Sequence, residues 1–215
     1  MTWVRGTSLA LMLITAFSRA SAQGIIYGTP QPPAYYAAGI IVSYNLDVNG
    51  DGIADFVLIS EADSVLIQPL SSNSLITIPE PPPDLGCLIA ALPSGFTVGS
   101  SLDPIYQWYY PNTDQFGMAG IGAQESIDNQ VYTIGYFTGL PSAYIGFDLN
   151  TGGTNYYGWM QIANPASVVA GQVVDWAYES SPNTSILAGA VPEPSTWALL
   201  TAGAALMLCR RKIIP

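Results

Sequence analysis

The amino-acid sequence predicts an all-β domain, an antiparallel β-sandwich of jelly-roll type, with an N-terminal signal helix and a C-terminal transmembrane helix. Three observations carry this expectation. Short runs rich in β-branched and aromatic residues recur through the middle, each bounded by Asn, Asp, Gly, Ser or Pro. No window between the ends shows a long apolar period of 3.6 residues. The five basic residues (Arg5, Arg19, Arg210, Arg211 and Lys212) all lie beside the two terminal apolar runs. Three segments follow: a signal peptide over 1–22, a β-sandwich ectodomain over 23–190 and an apolar, basic-ended tail over 191–215.

The first segment has a positive start at Arg5, an apolar run from Ser8 to Phe17, and Ala20-Ser21-Ala22. That order fits a secretory leader cut after Ala22, giving a mature start at Gln23. The competing reading is an uncleaved anchor. Export implies the Sec translocon and a signal peptidase as partners.

Strands are expected at 40–45, 56–59, 64–67, 74–78, 105–110 and 131–137. In Ala143, Ile145, Phe147 and Leu149 the apolar side chains alternate cleanly. Asn150-Thr151-Gly152-Gly153-Thr154 then reads as a turn into Tyr156–Ile162, because glycine takes positive φ at little cost. Gln172 to Tyr178 is the last long strand. Nine or ten short strands without an internal repeat suggest a sandwich rather than a propeller or solenoid. Pro79-Glu80-Pro81-Pro82-Pro83 interrupts them as an extended loop.

The tail has three parts in order. Val191-Pro192-Glu193-Pro194 is stiff and non-helical. Ser195 to Cys209 is almost wholly apolar, and Arg210, Arg211 and Lys212 follow. Such a run ending on basic residues is expected to be a short transmembrane helix with a cytoplasmic end. A buried helix of the domain is the alternative.

Charge excludes several functions. Between Ala20 and Cys209 the chain has fifteen carboxylates and no Lys, Arg or His. It cannot neutralise phosphates, so no nucleic acid is expected as a partner. Without His there is no Ser-His-Asp or Cys-His catalysis and no His-bound zinc. A chain from Gln23 to Pro194 would hold a side-chain charge of -15. Cys87 lies in an apolar stretch, and no other cysteine of the exported part is available to bridge it.

The tripartite tail resembles the PEP-CTERM sorting signal of Gram-negative bacteria. Pro192, Glu193 and Pro194 match its motif, and Arg210, Arg211 and Lys212 match its basic end. The resemblance implies processing by an exosortase and export to the cell surface or extracellular matrix. Those residues would be recognised by another enzyme and are not a catalytic site of this chain.

One internal motif points to a ligand. In Asp47-Val48-Asn49-Gly50-Asp51-Gly52-Ile53-Ala54-Asp55, oxygen side chains recur at alternate places around a glycine. Ca²⁺ takes six to eight oxygens, so Asp47, Asn49, Asp51, the Ile53 carbonyl and Asp55 form a candidate set. An EF-hand would need Glu where Leu58 stands, and helices where strands are expected. The loop therefore resembles strand-flanked calcium loops of extracellular modules. A metal-free turn rich in Asn, Asp and Gly remains the alternative.

Function stays between three classes. The first is a non-enzymatic structural or adhesive surface protein. The second is a carbohydrate-binding module for matrix polysaccharide, with Tyr106, Trp108 and Tyr110 as its glycan platform. The third is a glycoside hydrolase using two of Asp103, Asp114, Glu125, Asp128, Asp148, Asp175 and Glu179. No catalytic residue is singled out, and an enzyme is not expected.

Overall fold

A computed structural model describes residues 24–37, 39–79, 87–111, 118–128, 130–167 and 170–192. The leader, the apolar tail, Glu193, Pro194 and the basic cluster lie outside the described residues. So do the helices expected there. Among the described residues there is no helix.

Fifteen strands are present among the described residues. They are β1 (Ile25–Gly28), β2 (Ala34–Ala37), β3 (Val42–Leu46), β4 (Phe56–Ser60), β5 (Ser64–Pro69), β6 (Ser74–Ile78), β7 (Cys87–Ile89) and β8 (Thr97–Val98). Then come β9 (Gln107–Tyr109), β10 (Ala119–Ile127), β11 (Gln130–Ile134), β12 (Ser142–Thr151), β13 (Thr154–Ser167), β14 (Ala170–Glu179) and β15 (Ile186–Leu187). The all-β class is as expected; the sandwich is not confirmed, and what is seen is a curled sheet. Thirteen strands share one hydrogen-bonded sheet, ordered β1-β14-β13-β12-β6-β7-β10-β5-β4-β3. β2 adds to β14, β9 to β6 and β11 to β10, while β8 and β15 form a separate pair. Pairing is antiparallel throughout except between β7 and β10, which run parallel at Ala119–Cys87 and Gly120–Leu88.

The sheet curls. Phe56 on β4 and Phe147 on β12 stand five places apart in the strand order, yet their ring centroids are 5.4 Å apart. Both halves therefore bury one core, which a flat sheet could not do. Ala143, Ile145, Phe147 and Leu149 all point into it, the periodicity read from the sequence. Truncating a fully buried Phe such as Phe56 or Phe147 to Ala would cost about 3–5 kcal/mol. The alternate side chains of the same strands form a second cluster on the outer face. Ile76, Tyr157, Trp159 and Ala177 are covered there by the 90–108 segment and by β15.

Local chemistry explains the sharpest turn. Gly152 and Gly153 have φ of 60° and 84°, both left-handed, and Thr151 pairs with Thr154 across them. Two such residues match the twist of the strands they join. Gly158 on β13 has a different reason. A Cβ there would enter the Phe147 ring and come within 2.7 Å of the Ala177 carbonyl oxygen.

Candidate functional site

The acidic loop joins β3 to β4, which pair from Val42–Ser60 to Leu46–Phe56. Gly50 and Gly52 take φ of 78° and 86°, which lets the loop of residues 47–55 turn back on itself at the hairpin end. Asp47 organises the loop. Its Oδ1 accepts the Gly50 and Asp51 N–H groups at 2.7 and 3.2 Å, and its Oδ2 accepts Gly52 N–H at 2.8 Å. Asn49 Oδ1 accepts Asp51 N–H at 2.9 Å, and Asp51 Oδ1 accepts Ile53 N–H at 2.8 Å. The Asn49 amide also donates to Asp51 Oδ2 at 3.2 Å. Ile53 itself is exposed.

Asp55 turns the other way. It is buried, and its Oδ2 accepts Val48 and Asn49 N–H at 2.8 and 3.2 Å. Burial raises its pKa; the two backbone bonds oppose that, and the charges of Asp51 and Asp47 add to it. Asn73, also buried, donates to the Asp55 carbonyl at 3.1 Å, and its own Oδ1 accepts Asn150 N–H at 2.8 Å. Sequence reasoning missed Asn73, which sits 18 residues beyond Asp55 with no pattern to mark it.

The donor set partly fits a hard cation. Asp47, Asn49 and Asp51 put oxygens on one exposed loop; Asp47 Oδ1 already accepts two N–H groups, while Asp47 Oδ2 and both Asp51 oxygens accept one each and keep a further lone pair. Asp55 is engaged inside. Among the described residues no group of three or more acidic, His or Cys side chains is gathered closely enough to share one ion.

Beside this loop lies a groove of about 480 Å³ between the outer edge of β3 and the segment Thr29–Pro32. Gln31, Pro32, Tyr44, Asn45, Asp47 and Trp176 line it. The Thr29–Pro32 side of this groove carries no motif and was not legible as a site.

The aromatic run 106–110 is divided between the two clusters. Tyr109 enters the main core. Trp108 stacks on Tyr157 at 5.7 Å with an interplanar angle of 27°, and Tyr106 meets Phe96 edge-on at 5.1 Å. Tyr110 is exposed.

The candidate acids are scattered. Asp148 is buried on β12, and burial, against one backbone hydrogen bond from Tyr156, pushes its pKa up to about 6. Asp175 Oδ2 accepts the Tyr27 hydroxyl at 2.6 Å. That bond, with burial and the carboxylate charge, raises Tyr27 to about 12. Asp148 lies opposite Tyr157, and Asp175 lies opposite Gln161, on either side of β13. That places them roughly 10 Å apart across the sheet and 13 Å along it, wider than a glycosidase pair. Asp103 caps a turn by accepting Ile105 N–H at 3.2 Å, and Asp128 has φ of 51° in the β10–β11 turn. Asp114 and the Glu125 side chain lie outside the described residues. Cys87 is half-buried on β7, packed against the main core.

The folded domain runs up to the tail without a linker. Trp159 Nε1 donates to the Ala190 carbonyl at 3.1 Å. Ala188 N–H donates to the Phe96 carbonyl at 2.8 Å, and Gly95 N–H to Ala188 at 2.8 Å. Val191 and Pro192 are exposed, and the rest of the motif lies outside the described residues.

No curated protein and no solved structure matches this chain. Residues 190–212 match the PEP-CTERM protein-sorting motif, so the stretch that begins where the last hydrogen bond of the domain ends is a recognised signal. The chain is therefore a bearer of the PEP-CTERM sorting motif, which implies export and processing by an exosortase.

Proposed function

We propose that the protein is a non-enzymatic structural or adhesive component of the cell surface or extracellular matrix, with calcium held at the β3–β4 loop. The observation that carries the first part is the sorting motif joined directly to a folded, all-acidic domain. Anchoring in the membrane is then transient, and the surface or matrix is the destination. The absence of His and of any interior cation leaves few routes to catalysis, and the wide separation of Asp148 and Asp175 supports a non-enzymatic reading.

Calcium is supported by the donor chemistry. Asp47, Asn49 and Asp51 offer side-chain oxygens, Ile53 offers its carbonyl, and Asp55 contributes charge from beneath. Bound calcium would supply the positive charge that this stretch lacks. Its effect would be structural: the loop closes over the β3–β4 hairpin and lines one end of the groove.

A second reading, a carbohydrate-binding module, draws support from that groove. Its amides, Tyr44 and the Trp176 ring suit a neutral, hydroxyl-rich ligand.

Deleting residues 191–215 and following the domain tests the main reading. Loss of the domain from the surface fraction with release to the medium is expected. An unchanged location would defeat it.

A further inference from the structure

Glu179 closes β14 almost wholly buried, at 1% exposure. Its Oε1 accepts two backbone N–H groups, Gly24 at 3.2 Å and Ser181 at 3.1 Å. Its Oε2 is buried and has no partner. A buried carboxylate with half its acceptors empty is unstable unless a donor, best a cation, is supplied.

No side chain of the exported part can supply one. Lys, Arg and His are all absent between Ala20 and Cys209. The only cation that processing creates in that stretch is the new α-ammonium group. With cleavage after Ala22 it belongs to Gln23, one residue before the Gly24 N–H that already touches Glu179. Neighbouring Cα atoms are about 3.8 Å apart, so this group starts within one residue of the carboxylate.

Gly24 is itself held tightly. Ser180 N–H donates to the Gly24 carbonyl at 2.9 Å, and Ile25 pairs with Glu179 across β1 and β14. A Cβ on Gly24 would run into the Ser180 hydroxyl. Gly24, the first described residue, is thus pressed onto the end of β14.

We propose that Glu179 is a receptor for the chain's own α-ammonium group, a site completed only when the leader is removed. Before cleavage, residue 23 presents a neutral peptide N–H. After cleavage, it presents three charged donors, and Oε2 takes one of them in a charge-assisted bond. The exported form then gains an ion pair that the precursor cannot make. The inference rests on the export reading for the position of the cut.

Two chains test it, one released by a protease at Gln23 and one that keeps Ser21-Ala22 ahead of it. Each is made with Glu179 and with Glu179→Gln. The Gln23 chain is expected to melt on the order of 5 °C higher than the extended chain, and Glu179→Gln should erase the difference. Equal melting of the first two, or a difference that survives Glu179→Gln, overturns the proposal. A mass showing that Gln23 has cyclised in freshly exported protein overturns it as well, since the ammonium is then gone. Sequencing the exported N-terminus separates the two readings. A start other than Gln23 defeats the assigned cut, while the melting comparison still judges the ion pair.

Discussion

The indole N–H of Trp176 donates to the carbonyl of Val48 at 3.2 Å, tying the last long strand to the acidic loop across 128 residues of sequence. The bond is buried, and Val48 is also the residue whose N–H binds Asp55. Replacing Trp176 with Phe keeps most of the apolar ring but leaves that carbonyl unpaired. We expect a loss of about 1–3 kcal/mol, seen as a Tm lower by roughly 4 °C. A change within half a degree would show that the bond does not support the loop.

Asn73 satisfies backbone on two sides, at Asp55 and at Asn150. Asn73→Ala should cost about 2 kcal/mol, because Asn150 N–H loses its acceptor inside the fold. Asn73→Asp keeps that acceptor but sets a second carboxylate 3.5 Å from Asp55 Oδ1. It should be at least as damaging at neutral pH and recover in mild acid. Urea unfolding of the two variants at both pH values checks the ordering.

Asp148 weakens the fold at neutral pH. An unfolded aspartate ionises near 3.9, whereas the folded one ionises near 6. Between those values the folded chain retains a proton that the unfolded chain has released, so stability falls as pH rises from about 4 to about 6. Above that range the cost is fully present, roughly 2–3 kcal/mol. Asp148→Asn removes the charge and keeps the shape. It should raise the urea midpoint at pH 7.5, with a gain that shrinks towards pH 4. A gain equal at both pH values would point away from ionisation.

Calcium should stabilise the loop by linkage. For a dissociation constant near 10⁻⁴ M, 10 mM calcium would add about 2.7 kcal/mol. Differential scanning calorimetry should show a higher Tm in calcium than in chelator, with the difference lost in Asp47→Ala. Identical traces in calcium and chelator would leave the loop as a metal-free cap.

Strand-level structure was legible wherever a side-chain pattern was strong. Ala143 to Leu149, the double glycine and Tyr156 to Ile162 declare their hairpin, because alternation and turn chemistry agree. β10 was not legible. Its first residues, Ala119-Gly120-Ile121-Gly122-Ala123, have little β-preference, yet it pairs with β5, β7 and β11. Small residues are required there because neighbours come close. A Cβ on Gly120 would stand 3.2 Å from the Leu88 side chain, and Gly135 would need room against Ile121. The continuity of the curled sheet was not legible for the same reason. β10 and three-residue β7 link the two halves into one sheet, and neither carries a pattern. In the acidic loop, side-chain spacing revealed the oxygens but not their directions. That Asp55 faces inward depends on Asn73 and on the backbone of Val48, which spacing does not encode.

The Trp159 bond to Ala190 leaves only Val191 and Pro192 between the last anchored residue and Glu193. Two extended residues reach about 7 Å. If the tail is held in the membrane before it is cut, as the sorting motif implies, the folded domain would begin within two residues of Glu193, and an enzyme cutting in that stretch would have to work beside a folded surface.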